Sequence, residues 1–66
     1  MKTYQPHQQR VIDEKSELDK KLVNLKVFIG GPIWRGLSEV EQSRLNRQLE
    51  AMTAYSNILG GRIGDF

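Results

Sequence analysis

The sequence holds 66 residues, with 10 Lys and Arg against 8 Asp and Glu, a formal net charge of +2, one histidine and no cysteine. That length allows a single domain and leaves no room for the layered scaffolds in which most enzymes build deep clefts. Without cysteine there is no disulfide framework, and His7 alone cannot make a zinc site of His and Cys.

Residues 1–6 form a polar lead, Met1-Lys2-Thr3-Tyr4-Gln5-Pro6, which lacks the apolar stretch of a signal peptide. The first helix is expected over 7–29. Pro6 suits its opening turn, where the missing N–H is not needed. Gly30 and Gly31 end it, since glycine takes the left-handed C′ conformation cheaply, and Pro32 blocks continuation. Residues 30–37 read as a Gly/Pro-containing loop.

The second helix is expected over 39–63. Ser38-Glu39-Val40-Glu41 fits a capping box, in which the serine and the glutamate satisfy each other's free N–H groups. Beyond it, Gly60, Gly61 and Gly64 weaken the helix, each by about 1 kcal/mol relative to alanine in a helix interior. Fraying is one explanation of this cluster; close backbone approach to a partner subunit or a phosphate is the other. No apolar run approaches the ~18 residues that span a bilayer, and the polar faces carry Asp and Glu as freely as Lys, so no membrane association is expected.

Apolar spacing tests these elements. Val11, Lys15, Leu18, Leu22, Leu25 and Ile29 follow alternating steps of four and three, and so do Leu45, Leu49, Met52, Ser56, Leu59, Ile63 and Phe66. These are the a and d positions of an antiparallel helical pair. One register serves both series: Leu25 meets Leu45, Leu22 meets Leu49, Leu18 meets Met52, Val11 meets Leu59, Gln8 meets Ile63 and Tyr4 reaches Phe66. The fold expected is all-α, an antiparallel two-helix hairpin in one domain.

Lys15 interrupts the ladder opposite Ser56. An unpaired buried ammonium is costly, so this layer must be wet, salt-bridged or liganded. Either Lys15 snorkels past the seam to Asp19 or Glu14, or it is a cationic ligand group held between the helices. A single apolar seam is also thin support for a chain this short. Ile12, Val23, Val27 and Phe28 on the first helix and Ile33 and Trp34 in the loop offer a second apolar surface. Assembly into a homo-oligomer, at least a dimer, is expected.

No catalytic constellation stands out: there is no cysteine nucleophile, no Ser-His-Asp set, no phosphate-cradling glycine loop after a strand and no metal-ligand spacing. Neither enzyme activity nor a cofactor is expected. Binding is more plausible. Beside the seam of the second helix runs a stripe of Arg44, Gln48, Ala51, Tyr55, Ile58 and Arg62, with guanidinium forks for phosphate, an aromatic face for a base and an amide for a base edge. The register brings Tyr4, His7, Gln8, Arg10 and Lys15 to the same open end as Tyr55 and Arg62. The plainer alternative is a solvated charged flank with an interface tyrosine. Acids interleaved through both helices leave no continuous basic track, so long nucleic acid fits less well than a compact anion.

The segments Pro6-His7-Gln8-Gln9-Arg10-Val11-Ile12, Phe28-Ile29 and Met52-x-x-Tyr55-Ser56-x-Ile58-Leu59-x-x-Arg62-Ile63 resemble a family of very small proteins encoded by bacteriophages and prophages, related to a crAss-like phage protein without assigned function. Gly61 departs from that pattern, where a charged residue is usual. The layout is also similar to the helical-hairpin sponges with which phages block CBASS and Thoeris immunity, oligomers that hold cyclic nucleotide signals at sites between protomers. A hairpin of this size, a tryptophan near the second helix and a Leu-Gln pairing, reversed here as Gln48-Leu49, carry that likeness. The resemblance implies a phage anti-defence protein in the cytoplasm of a bacterial host, sequestering a cyclic di- or trinucleotide without turnover. Arg10, Lys15 and Arg62 would neutralise phosphates, Tyr4 and Tyr55 would stack on bases, and His7 and Gln8 would supply hydrogen bonds. The competing expectation is an inhibitor that docks on a host defence or replication protein through Phe28, Ile33 and Trp34, since aromatic residues dominate such contacts.

Overall fold

A computed structural model describes residues 3–66; Met1 and Lys2, the start of the expected polar lead, lie outside the described residues. Two long helices, α1 (Pro6–Phe28) and α3 (Glu39–Gly64), flank a short helical turn, α2 (Pro32–Arg35). The long helices pack against each other along a rod of 48 × 16 × 14 Å.

α1 starts where proline permits and is tied off from inside. Pro6 occupies its first turn after an extended Gln5, and the Gln5 N–H donates to Gln8 Oε1 at 2.9 Å. At its other end Ile29 is extended, and Gly30 takes φ +91°, a conformation that side chains with a Cβ resist. The expected end at residue 29 is therefore one residue late.

The connection is more ordered than a plain loop. Gly31 is extended, Pro32 presets the first φ of α2, and the Arg35 N–H closes the turn on the Gly31 carbonyl at 3.2 Å. Gln42 Nε2 donates to the Trp34 carbonyl at 2.8 Å, fastening α2 to the start of α3.

α3 begins at the expected cap, but only half of the capping box forms. Ser38 Oγ accepts from the Glu41 N–H at 3.2 Å, while the Glu41 carboxylate turns to Arg44, 3.6 Å away. At the far end the helix runs through Gly60 and Gly61 to Gly64 instead of fraying. Its anchors lie on either side of these glycines: Leu59 is fully buried, and Phe66 meets the Tyr4 ring edge-on with centroids 6.2 Å apart.

The seam matches the expected register. Val11 and Leu22 are 7% exposed and Leu59 is 0% exposed, while Leu18, Leu25, Ile29, Leu45, Leu49, Met52 and Ile63 are half-buried. Lys15 against Ser56 and Tyr4 against Phe66 fall where one register puts them, and that register sets the buried Val11 and Leu59 level with each other. Among the described residues, no helix is long and apolar enough to cross a membrane.

Candidate functional site

The break in the apolar ladder is a closed polar cluster. Lys15 Nζ donates to Asp19 Oδ2 at 2.7 Å and to Ser56 Oγ at 3.0 Å, and the Ser56 hydroxyl donates to Asp19 Oδ1 at 2.5 Å. Asp19 sits one turn after Lys15 on α1, so the pair is an i,i+4 ion pair that reaches across the seam to α3. The hydrogen bond from Lys15, then that from Ser56, holds the Asp19 carboxyl below its ordinary value of 3.8. Lys15 thus engages Asp19, one of its two expected partners, and its charge is matched within the hairpin. Its stem passes α3 at Gly60, where an added Cβ would meet Lys15 Cε at 3.4 Å.

A second cross-helix bond lies beside it. The Tyr55 hydroxyl donates to the Glu14 carboxylate. That bond, followed by burial and the charge of Glu14, raises the Tyr55 pKa above 10.0, while the Arg62 cation acts in the opposite direction. The pairing of Glu14 with Tyr55 is additional to those expected from the seam. The signal was present, because each stands one residue before a facing seam position, Lys15 and Ser56.

This bond also shows which flanks share a face. Residues one before each seam position lie on the same broad side of both helices: His7, Arg10 and Glu14 from α1, with Tyr55, Ile58 and Arg62 from α3. The register sets His7 level with Arg62. His7, Arg10 and Arg62 are exposed, Ile58 is 61% exposed and Tyr55 is 41% exposed. Ion pairs among the described residues join Lys15 to Asp19, Lys20 to Glu17 and Arg44 to Glu41, leaving Arg10 and Arg62 without an acidic partner among them. The same rule adds the exposed Asp65, just before Phe66, so this is a small cationic flank around an apolar centre that also carries the carboxylates of Glu14 and Asp65.

The other expected ligand residues divide differently. Gln8 is half-buried and spends its oxygen on the Gln5 N–H. Tyr4 is half-buried against Phe66. The flank therefore presents His7, Arg10, Tyr55 and Arg62, whereas Tyr4, Gln8 and Lys15 line or stiffen the hairpin behind it.

Toward the loop, an open groove of about 420 Å³ runs along the first turns of α3, lined by Glu39, Val40, Ser43, Arg44 and Arg47. All five come from one helix, so the hairpin supplies a single wall. Of the expected interface residues, Val23, Val27 and Ile33 are 60%, 75% and 67% exposed, and Ile12, Phe28 and Trp34 are half-buried. Among the described residues no cluster of His, Cys, Asp and Glu could hold a metal ion.

The model of a protein family described as Sequestin matches residues 5–65, which takes in all three helices. No curated protein and no solved structure matches the chain.

Proposed function

The chain belongs to the Sequestin family, and we propose that it binds a cyclic di- or trinucleotide immune signal of a bacterial host and withholds it without turnover, as a phage anti-defence protein. The family name points to sequestration of a ligand. Support for an anionic, base-bearing ligand comes chiefly from one observation: Arg10 and Arg62, neither with an acidic partner among the described residues, are exposed on the flank that also carries Tyr55 and Ile58. Guanidinium forks take phosphate oxygens in pairs, and the tyrosine and isoleucine faces accept a base.

The hairpin is two helices thick and offers this flank as one wall. Burying most of a small ligand needs a second wall, and a second copy of the chain supplies it in this reading. Retention rather than conversion is then the natural outcome. Tight binding of the ground state without groups placed to stabilise a transition state gives no rate enhancement.

Thermal unfolding with a panel of cyclic di- and trinucleotides tests the proposal. One member should raise Tm in a concentration-dependent way, because a ligand bound by the folded state stabilises it by mass action. Arg62→Glu should remove that shift while leaving the oligomer's mass unchanged. Unchanged affinity in Arg62→Glu would refute the site.

A second reading has its own observation. Val27 and Ile33 near the loop are 75% and 67% exposed, which suits docking on a host protein. In that case no nucleotide shifts Tm, and a host defence or replication protein co-purifies with the chain in a manner sensitive to Ile33→Glu.

A further inference from the structure

The heptad spacing that builds the hairpin leaves its register underdetermined. Sliding α3 along α1 by one heptad keeps a and d positions facing each other and preserves the central apolar layers, at the expense of the layers next to the connection and of the Gln42 bond that fastens it. What such a slide does not preserve is the layer of Lys15 and Ser56. One heptad in one direction sets Lys15 against Leu49 and Ser56 against Gln8. One heptad in the other sets Lys15 against Ile63 and Ser56 against Leu22. Either way an ammonium is placed in an apolar layer and the Ser56 hydroxyl loses the Asp19 carboxylate, now 2.5 Å away.

We propose that the Lys15–Asp19–Ser56 cluster is a register lock: it singles out one pairing of α1 with α3 and gives up some stability to do so. The geometry carries this. The three groups close a complete triangle, with contacts of 2.7, 3.0 and 2.5 Å. Ser56 is 7% exposed in the seam itself. No buried side-chain N or O among the described residues lacks a partner. Lys15 and Asp19 are part-buried, their side chains 29% and 45% exposed; replacing an ionic group held in a helical seam by well-packed apolar residues is often neutral or stabilising, and the best-attested use of such a group is to specify register.

The lock also sets the flank. In the observed pairing His7 is level with Arg62 and Glu14 meets Tyr55. One heptad of slip would set Glu14 level with Arg62, or His7 level with Tyr55, and disperse the cationic end. The lock itself does not depend on what binds there, so its test needs no nucleotide.

The chain has no cysteine, so Gln9→Cys with Gln48→Cys gives two unique sites for spin labels. Gln48 is level with Lys21, which places the labels about 18 Å apart along the axis at ~1.5 Å per residue; a heptad slip changes that by about 10 Å. Distances are read by pulsed electron spin resonance with labelled chains diluted in unlabelled protein, so that pairs within one chain dominate. A single population is expected in the parent. Adding Lys15→Leu with Ser56→Leu should hold or raise Tm and add a second population whose offset along the axis is about 8 or 28 Å, to which the helix separation of about 8–10 Å adds in every state. The exchange of Lys15→Ser with Ser56→Lys, which returns an ammonium to the layer beside Asp19, should restore one population. The milder pair of Lys15→Met with Ser56→Ala carries the same test if the leucine pair aggregates. One unchanged distance in the apolar variants, a fall in their Tm, or failure of the exchange to restore a single distance would each overturn the lock.

Discussion

Among the described residues Leu59 is the one fully buried side chain, at 0% exposure, and the register sets it level with Val11 in the layer next to the polar cluster. Leu59→Ala removes its apolar contact and leaves a void that two helices can only partly close. Such truncations cost about 2–5 kcal/mol, the upper part of the range applying where the surroundings cannot relax. The neighbouring elements argue for the middle of that range: Gly60 leaves the next turn free to shift, but the Lys15–Ser56 bond on the other side pins it. A loss of about 3 kcal/mol is therefore expected. Small domains hold only about 0.05–0.15 kcal/mol per residue, so this is a large share of the total. The assay is urea unfolding by circular dichroism, with Ile58→Ala as the paired control. Ile58 is 61% exposed, and its truncation should cost within about 0.5 kcal/mol in an isolated hairpin. A larger cost that grows with protein concentration would mark Ile58 as covered by a second copy. A Leu59→Ala cost below about 1 kcal/mol would refute the placement of the core.

Asp19 gives an acid-side prediction. Its folded-state pKa lies below 3.8, so its contribution is fully present above the unfolded value and is lost as pH falls through the lowered folded value. Stability measured from pH 4 downward should fall more steeply in the parent than in Asp19→Asn, and equal slopes would contradict the cluster. Gly61 gives a stabilising one. An added Cβ there meets nothing within 4 Å, so Gly61→Ala should raise stability by about 0.4–1 kcal/mol in urea unfolding. A destabilised Gly61→Ala would instead show that another chain approaches this backbone closely.

Most of the hairpin was legible because the same four-three spacing runs through both helices and one register pairs them. Pro6, Gly30 and Ser38 marked the ends through local chemistry that survives into the structure. The misses share a cause. The turn of α2 depends on Gln42 reaching back to the Trp34 carbonyl, a contact that no local pattern announces. The helical glycine end depends on Leu59 and Phe66, whose packing overrides the weak propensity of three glycines. At the candidate site, the register brought these residues to one end of the molecule but did not show which of them the hairpin itself uses. Lys15 and Gln8 look like ligand groups in a linear reading, and folding commits them to Asp19, Ser56 and the Gln5 N–H. Glu14, expected as a possible partner of Lys15, instead accepts from Tyr55 of the other helix.

Sequestration by an oligomer is tested most directly by native mass spectrometry of the purified protein, alone and with a panel of cyclic di- and trinucleotides. The expected result is a discrete oligomer that gains an integral number of one nucleotide, with the bound ligand's mass unchanged after prolonged incubation. A discrete species that takes up none of them, or a bound ligand whose mass shows cleavage, would contradict it.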